Sequence, residues 1–478
     1  MLFNSIDFAI FLPIVFILYW FFFKKNLSGQ NTLLLVSSYV FYAWWDYRFL
    51  FLLIFSTFLD YFTGLRIFNS KTPSLKKTWL VISVCINLGF LVYFKYYNFF
   101  IDSFAALLNT AGFKPHIATL NLILPIGISF YTFHGLSYVL DIYNNKFKPT
   151  QNIVDYSLFV SFFPLLVAGP IERATHLLPQ VQNNRTFNYT QVLNGLKQIL
   201  WGLVKKIVIA DKCAEYADLI FNNSEHYNGS TLLVGAILFT VQIYGDFSGY
   251  SDIALGTAKL FGFELLKNFE YPYFSRDIAE FWRRWHISLS SWFRDYLYIP
   301  LGGSKVNVWK KIRNTFIIFI VSGFWHGANW TFIVWGALNA IYFVPLLLSN
   351  KNRNNLTIVA AGKLIPTLKE TISIAATFLL TVFAWIFFRA ADIGHALRYI
   401  RSLFSPALFS VPEVFPKDLF IFVALFFCIE WYGKDEYNPL NKISNSLPKF
   451  FRWSFYYLLI ILIINSSGEG QKFIYFQF

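Results

Sequence analysis

The sequence predicts an all-α polytopic membrane protein with about eleven transmembrane helices and additional re-entrant or interfacial helices. Three observations predict it. Hydrophobic residues make up 56% of the 478 positions, aromatic residues 21% and charged residues only 14%, a balance outside the range of soluble globular domains. Apolar stretches long enough to cross a bilayer recur along the chain. Between two of them lies a crowded polar block, FWRRWHISLSSWFRDYLYIPLGG (281–303), and downstream of it SGFWHGANW (322–330) sets His326 inside an apolar run.

Taken in order, the first stretch, 8–23, lacks a basic leading segment and a small-residue cleavage site, so it reads as a retained helix rather than a removed signal peptide. Lys24 and Lys25 follow it. The stretches 32–45 and 49–65 are joined by the short link WDYRF, which carries one charge of each sign, and Arg66, Lys71, Lys76 and Lys77 follow the third. Lys and Arg concentrate in cytoplasmic loops, so this alternation puts the amino terminus outside and the Lys-rich loops inside. The stretches 79–94, 120–140 and 232–247 come next. Two others, 156–167 and 192–210, are shorter or more amphipathic and are read as re-entrant, interfacial or spanning. The block 264–313 holds nine Lys or Arg against five acids and is expected in the cytoplasm. After it come 315–324, 331–348, 372–388, 419–429 and 456–464, with basic loops 351–369 and 434–452 inside and the aromatic tail 466–478 emerging outside. The sequence shows no internal repeat and no soluble domain, so one integral-membrane domain is expected to fill 1–478.

The net charge of +14 does not point to nucleic acid, because the basic residues sit in loops between apolar segments, where they set orientation. Cys85, Cys213 and Cys428 are scattered without a CxxC pair, so neither a disulfide framework nor a metal site is suggested.

An ionisable side chain inside a membrane segment costs a few kcal/mol, and those that persist mark a site or a pathway. His326 is therefore the first functional candidate. The polar block interleaves Trp282, Trp285, Trp292 and Trp309 with Arg283, Arg284 and Arg294. It reads either as an amphipathic helix lying at the interface, its arginines on lipid phosphates, or as the mouth of a site. In the second reading Arg283, Arg284 and Arg294, with the amides of Gly302 and Gly303, receive a phosphate- or thioester-bearing donor from the cytoplasm. Asp246 and Asp252, flanking the FSGYS turn, are expected to pair with the arginines of the block. Glu172 and Arg173 after AGP read as caps of a re-entrant turn, His134 as a polar lining residue, and His116, His176, His226 and His395 carry no assigned role.

Several ordered strings carry a resemblance: SFYTFHGLSYVLDIY (129–143), FFPLLVAGPIER (162–173), YGDFSGYSDIALG (244–256), NFEYPYFSRDIAEFWRRWHISLSSWFRDYLYIPLGG (268–303) and SGFWHGANWTFIVWGALN (322–339). The chain resembles the membrane-bound O-acyltransferase family, in its bacterial alginate O-acetyltransferase-like branch. The resemblance implies a ring of tilted helices around a thin central partition, with a cytoplasmic and an extracellular funnel. It implies that His326 is the catalytic base, taking a proton from an attacking hydroxyl and returning it to the leaving thiolate. His286, in WHIS, matches the family's second polar position and orients the donor or polarises its carbonyl; the plain alternative is a histidine hydrogen-bonded within an amphipathic helix. The tail GEGQKFIYFQF (468–478) looks like the aromatic motif of a companion peptide in teichoic acid alanylation, which makes Tyr475 a candidate acyl acceptor; the alternative is an aromatic anchor at headgroup depth.

The implied activity is O-acetylation of an extracytoplasmic polysaccharide by a multi-pass protein of the bacterial cytoplasmic membrane. The donor substrate is acetyl-CoA or an acyl-carrier thioester, with no bound cofactor and no metal. The partners are membrane lipid and an extracytoplasmic SGNH-type acetyltransferase, with no nucleic acid. Two alternatives stand beside it: a lipid-directed acyltransferase of the same superfamily, against which RDYLYIPLGG argues, and a transporter, which would show two related halves.

Overall fold

The computed structural model describes residues 1–113, 119–120, 122–167, 169–466, 468, 471 and 473–474. Among these the regular elements are all helical. Each predicted apolar stretch is helical in whole or in large part. The stretch 120–140 starts late: its helix, Ile128–Tyr143, begins after Gly127, whose φ of 75° breaks the preceding segment. By length and composition, five helical stretches are long and apolar enough to cross a membrane: Leu27–Asn69, Pro73–Thr110, Gly229–Leu260, Trp330–Leu348 and Leu368–Arg389. Large apolar side chains stand exposed along them and their neighbours, among them Ile6, Phe51, Ile372 and Ile461. Such a surface belongs against lipid.

The chain divides into two compact units, Met1–Val192 with Ala258–Leu266, and Leu193–Thr257 with Lys267–Phe478. In the first, helix starts follow their capping residues: Ser5, Asn26, Thr72 and Asn152 each accept a main-chain N–H from the first turn of the helix they precede. Apolar burial gives little discrimination between helices in lipid, so buried polar groups join them. Asp60 accepts from Ser83 Oγ at 2.7 Å and from Asn87 Nδ2 at 2.8 Å, tying Leu50–Asn69 to Pro73–Leu91. The Arg185 guanidinium donates to the Tyr19 hydroxyl, to Asn31 Oδ1 and to the Val181 carbonyl.

Glu172 is fully buried in this unit. Its carboxylate accepts the Leu266 N–H at 2.6 Å and meets His176 Nδ1 at 2.8 Å, so the capping role expected of it falls on segment 264–266. The Glu172 hydrogen bond, against a smaller opposing effect of burial, raises the His176 pKa above its ordinary value. A raised histidine stabilises the fold fully below its unfolded pKa, and that contribution is lost as pH rises through the folded value. Glu172→Gln is therefore expected to bring His176 back toward its ordinary value near about 6.5. A chemical-shift titration of histidine-labelled protein reads this, and an unmoved midpoint would remove Glu172 as the cause.

The second unit contains the long buried helix Gly229–Leu260 as far as Thr257 and a helical hairpin, Val308–His326 and Trp330–Leu348. The hairpin crosses at glycines: a Cβ on Gly323 would lie 2.1 Å from the Phe332 carbonyl oxygen, and one on Gly336 2.3 Å from that of Phe319. Leu368–Arg389 opens with a capping box between Thr367 and Glu370 and packs on the hairpin, its Trp385 stacked on Trp335 at 5.4 Å.

The polar block is not one interfacial helix. It forms two short helices, Ile278–Arg284 and Ile287–Phe293, separated at His286, whose φ and ψ of 43° and 55° are left-handed. Trp285 and Trp292 are buried while Trp309 is 80% exposed, so only the last behaves as the expected anchor. The break redirects the chain so that Trp285 stacks within an aromatic core of Phe281, Phe269 and Trp385.

Candidate functional site

His326 ends the helix Val308–His326 and is 3% exposed. Its ring packs edge-on against Trp325 at 5.0 Å, Trp335 at 5.3 Å and Phe388 at 5.5 Å. The next residue must be glycine: a Cβ on Gly327 would stand 2.0 Å from the Phe332 ring. Asn329 then caps the second helix through the Thr331 N–H at 3.0 Å. The local sequence HGAN thus reverses the chain in a few residues and leaves the imidazole at the hairpin's turn, within a box of aromatic rings.

The His286 ring lies 6.3 Å from that of His326, centroid to centroid. Segment 268–270 holds it in place. Asn268 accepts the Ile287 N–H on its main-chain oxygen at 2.9 Å, and the Glu270 N–H donates to the Arg284 carbonyl at 3.0 Å. Asn268 Oδ1 accepts from Ser288 Oγ at 2.6 Å and meets His286 Nδ1 at 3.1 Å. With Asn268 Oδ1 as the acceptor, the ring carries its proton on Nδ1 and its lone pair on Nε2. Among the described residues no hydrogen-bond partner meets this buried Nε2. Burial pushes the imidazole pKa down to about 3, so the ring is neutral at physiological pH. Residues in left-handed conformation at a non-glycine position are held by their surroundings, and such strain concentrates at functional sites.

A small cavity beside Asn268 is lined by Lys205, Tyr244, Asp252, Tyr271 and Tyr437. Lys205 forms ion pairs with Glu430 at 2.8 Å and Asp252 at 3.1 Å, and the Tyr244 hydroxyl donates to Glu430 at 2.6 Å. Next to it Lys206 pairs with Asp211 and Asp246, both at 2.7 Å. Asp246 and Asp252 therefore pair with lysines of the π-helical turn Val204–Ala210 and not with the arginines of the polar block. Sequence reasoning passed over Lys205, Lys206, Glu430 and Asn268. The first two had a signal: adjacent lysines within GLVKKIVIA are too costly in an apolar run unless a carboxylate waits for each.

The donor-side candidates divide. The Arg283 guanidinium donates to the Asn352 and Asn355 carbonyls, both at 2.8 Å. Arg284 is buried against Glu280 at 3.0 Å. Both thus bind protein partners that fix the loop after the hairpin and the start of the block. Arg294 remains exposed beside Asp295. The amides of Gly302 and Gly303 donate to the Ile299 and Tyr298 carbonyls within a left-handed turn, φ 101° and 55°, so they close the turn and present no free N–H pair. His134 belongs to the first unit, buried against Phe159, and His395 meets Ser224 Oγ at 3.1 Å. Tyr475 lies outside the described residues, as does His116. The described part of the tail lies within the second unit, with Phe473 and Ile474 almost wholly buried. No group of three or more metal-ligating side chains occurs among the described residues.

Comparison with known proteins gives a consistent result. Residues 62–377 match the family model described as MBOAT, membrane-bound O-acyltransferase family. The chain is 41% identical over 416 residues to a Pseudomonas aeruginosa protein named "Probable alginate O-acetylase AlgI", covering 86% of this chain and 76% of that one. It is 35% identical over 422 residues to the peptidoglycan O-acetyltransferase of Helicobacter pylori, covering 82% and 77%. A teichoic acid D-alanyltransferase of Bacillus subtilis is 29% identical over 237 residues, covering 48% and 60%.

Proposed function

Since the chain belongs to the membrane-bound O-acyltransferase family, we propose that it takes an acetyl group from a cytoplasmic thioester and passes it across the membrane for O-acetylation of an extracytoplasmic polysaccharide. The chain is an O-acyltransferase and a multi-pass membrane protein. The observation that carries the finer reading is the pair of buried imidazoles, His286 and His326, with ring centroids 6.3 Å apart. Two such rings serve one carbonyl from two sides: one moves the proton and the other positions the thioester.

In the proposed reaction His326 accepts the proton of an attacking hydroxyl as its oxygen bonds to the thioester carbonyl carbon. The C–S bond then breaks and the proton passes to the departing thiolate. His286, fixed by Asn268 with Nδ1 protonated, offers Nε2 as an acceptor for a polar hydrogen of the donor or acceptor. The polar cavity lined by Lys205, Asp252, Tyr271 and Tyr437 has the chemistry to solvate the amides of a pantetheine-type arm, which acetyl-CoA and an acyl-carrier protein share. Arg294, exposed at the mouth of the block, is the arginine best suited to the donor's phosphates. Tyr475 is the first acceptor, and an SGNH-type partner completes the transfer to polymer. The relatives named for alginate and for peptidoglycan support a glycan as final acceptor, and the bacterial cytoplasmic membrane is the place where such a donor and acceptor face each other.

Tyr475→Phe keeps the ring and removes the hydroxyl. Polymer O-acetyl content in a strain carrying only this variant is expected to fall to background at matched protein level, and mass spectrometry of the wild-type chain supplied with labelled acetyl donor should find the label on the carboxy-terminal peptide. Unchanged polymer acetylation would sink the role of Tyr475.

A further inference from the structure

Of the carboxy-terminal segment, Phe473 and Ile474 are buried, and Gln471 and Ile474 are held by their main-chain groups. Phe473 is 0% and Ile474 1% exposed. The Phe473 ring packs 4.4 Å from Tyr250 and 6.2 Å from Phe247, which in turn packs edge-on at 4.7 Å against His286. Two charge-assisted hydrogen bonds fix the backbone: Lys206 Nζ donates to the Gln471 carbonyl at 3.1 Å, and the Ile474 N–H donates to Asp246 Oδ2 at 2.7 Å.

Both charged groups already have other partners. Lys206 holds Asp246 Oδ1 and Asp211 Oδ1, each at 2.7 Å. Lys206 thus holds one oxygen of Asp246, and the Ile474 amide donates to the other. When the tail is withdrawn, Lys206 and Asp246 still satisfy each other, so no bare charge is exposed to apolar surroundings. A seat made this way grips the main chain, fixes its register, and survives vacancy.

We propose that Lys206 and Asp246 are positioning residues that seat the main chain at Gln471 and Ile474 beside the histidine pair, with Asp211 holding Lys206 when the seat is empty. This rests on the reading of Tyr475, the residue next in sequence, as acyl acceptor. Main-chain recognition suits that role, because it fixes register without depending on any one side chain of the tail. A carboxylate and an ammonium that hold the tail by one bond each also release it without breaking their own pairing, as delivery to an outside acceptor requires.

The test is hydrogen–deuterium exchange of the carboxy-terminal peptide in the detergent-solubilised full chain. Wild type is expected to protect this peptide, whose Ile474 amide donates to Asp246. Asp246→Leu leaves Lys206 paired with Asp211 and is expected to speed exchange of the peptide about tenfold or more, with exchange in Val308–His326 unchanged. Ile474→Pro removes the donated N–H and leaves the ion cluster whole, so it tests the seat even where Asp246→Leu does not fold; because proline also replaces the buried side chain and fixes φ, Ile474→Ala, which loses the side chain but keeps the N–H, is its control, and the proline variant should speed exchange of the carboxy-terminal peptide well beyond the alanine variant. Unchanged tail protection in folded Asp246→Leu and Ile474→Pro would overturn the proposal. Full acetylation by Tyr475→Phe alongside a tail that these variants do release would overturn the acceptor reading and leave the seat standing.

Discussion

His326→Ala is expected to reduce acetyl transfer about 10²–10⁴-fold, the range ordinarily supplied by a positioned general base. The argument is geometric. The imidazole sits at the end of its helix, 3% exposed, among Trp325, Trp335 and Phe388. An unassisted hydroxyl near neutral pH is almost wholly protonated, so its attack on a thioester is slow without a group to take the proton. The substitution also leaves a space among three aromatic rings, and large-to-small changes in such places cost stability. His326→Gln separates the two effects, because it fills much of the volume and retains hydrogen bonding without basicity. Both variants should reach the membrane, both should lose transfer from labelled donor, and the wild-type rate should fall at low pH where the base is protonated, whereas the residual variant rate should not. Full transfer by a well-expressed His326→Gln would dismiss His326 as the base.

Much of this arrangement was legible in the sequence because hydropathy is a local property. The apolar stretches became helices, and a histidine in an apolar run singled out His326, though the sequence did not place it at the turn of a hairpin. The string WHIS gave His286 only through its resemblance to a family position; nothing in the local pattern announced the left-handed backbone that splits the block there. That conformation is imposed by Asn268, whose main-chain and side-chain oxygens both hold the segment from a position outside any helical period. Pairings were least legible. Asp246 lies 228 positions from Ile474, and only the fold decides that it meets Lys206 and a main-chain amide instead of an arginine. Arg283 and Arg284 illustrate the same point: a basic pair beside tryptophans reads as a docking strip, yet their hydrogen bonds go to the Asn352 and Asn355 carbonyls and to Glu280.

Lys205→Met is expected to be the most destabilising single substitution in the ion cluster, by about 3–5 kcal/mol, the usual consequence of removing one partner from a buried pair. The Lys205 side chain is 5% exposed and stands between Glu430, 1% exposed, and Asp252, 21% exposed. Removing the ammonium leaves two carboxylates facing each other. Asp252 keeps Gln198 Nε2 at 2.9 Å and some access to water, while the buried Glu430 keeps the Tyr244 hydroxyl. The penalty therefore falls mainly on Glu430. Adding Glu430→Gln to Lys205→Met removes the stranded charge and preserves a side chain able to accept from Tyr244, so the double variant should be more stable than Lys205→Met alone even though it carries one more change. That inversion distinguishes an uncompensated charge from a loss of packing, which a second substitution would only deepen. Unfolding of membrane proteins in detergent is commonly irreversible, so the comparison belongs to inactivation half-lives at one temperature. A Lys205→Met chain as durable as wild type, or a double variant worse than the single, would show that the cluster's charges are hydrated rather than dependent on one another.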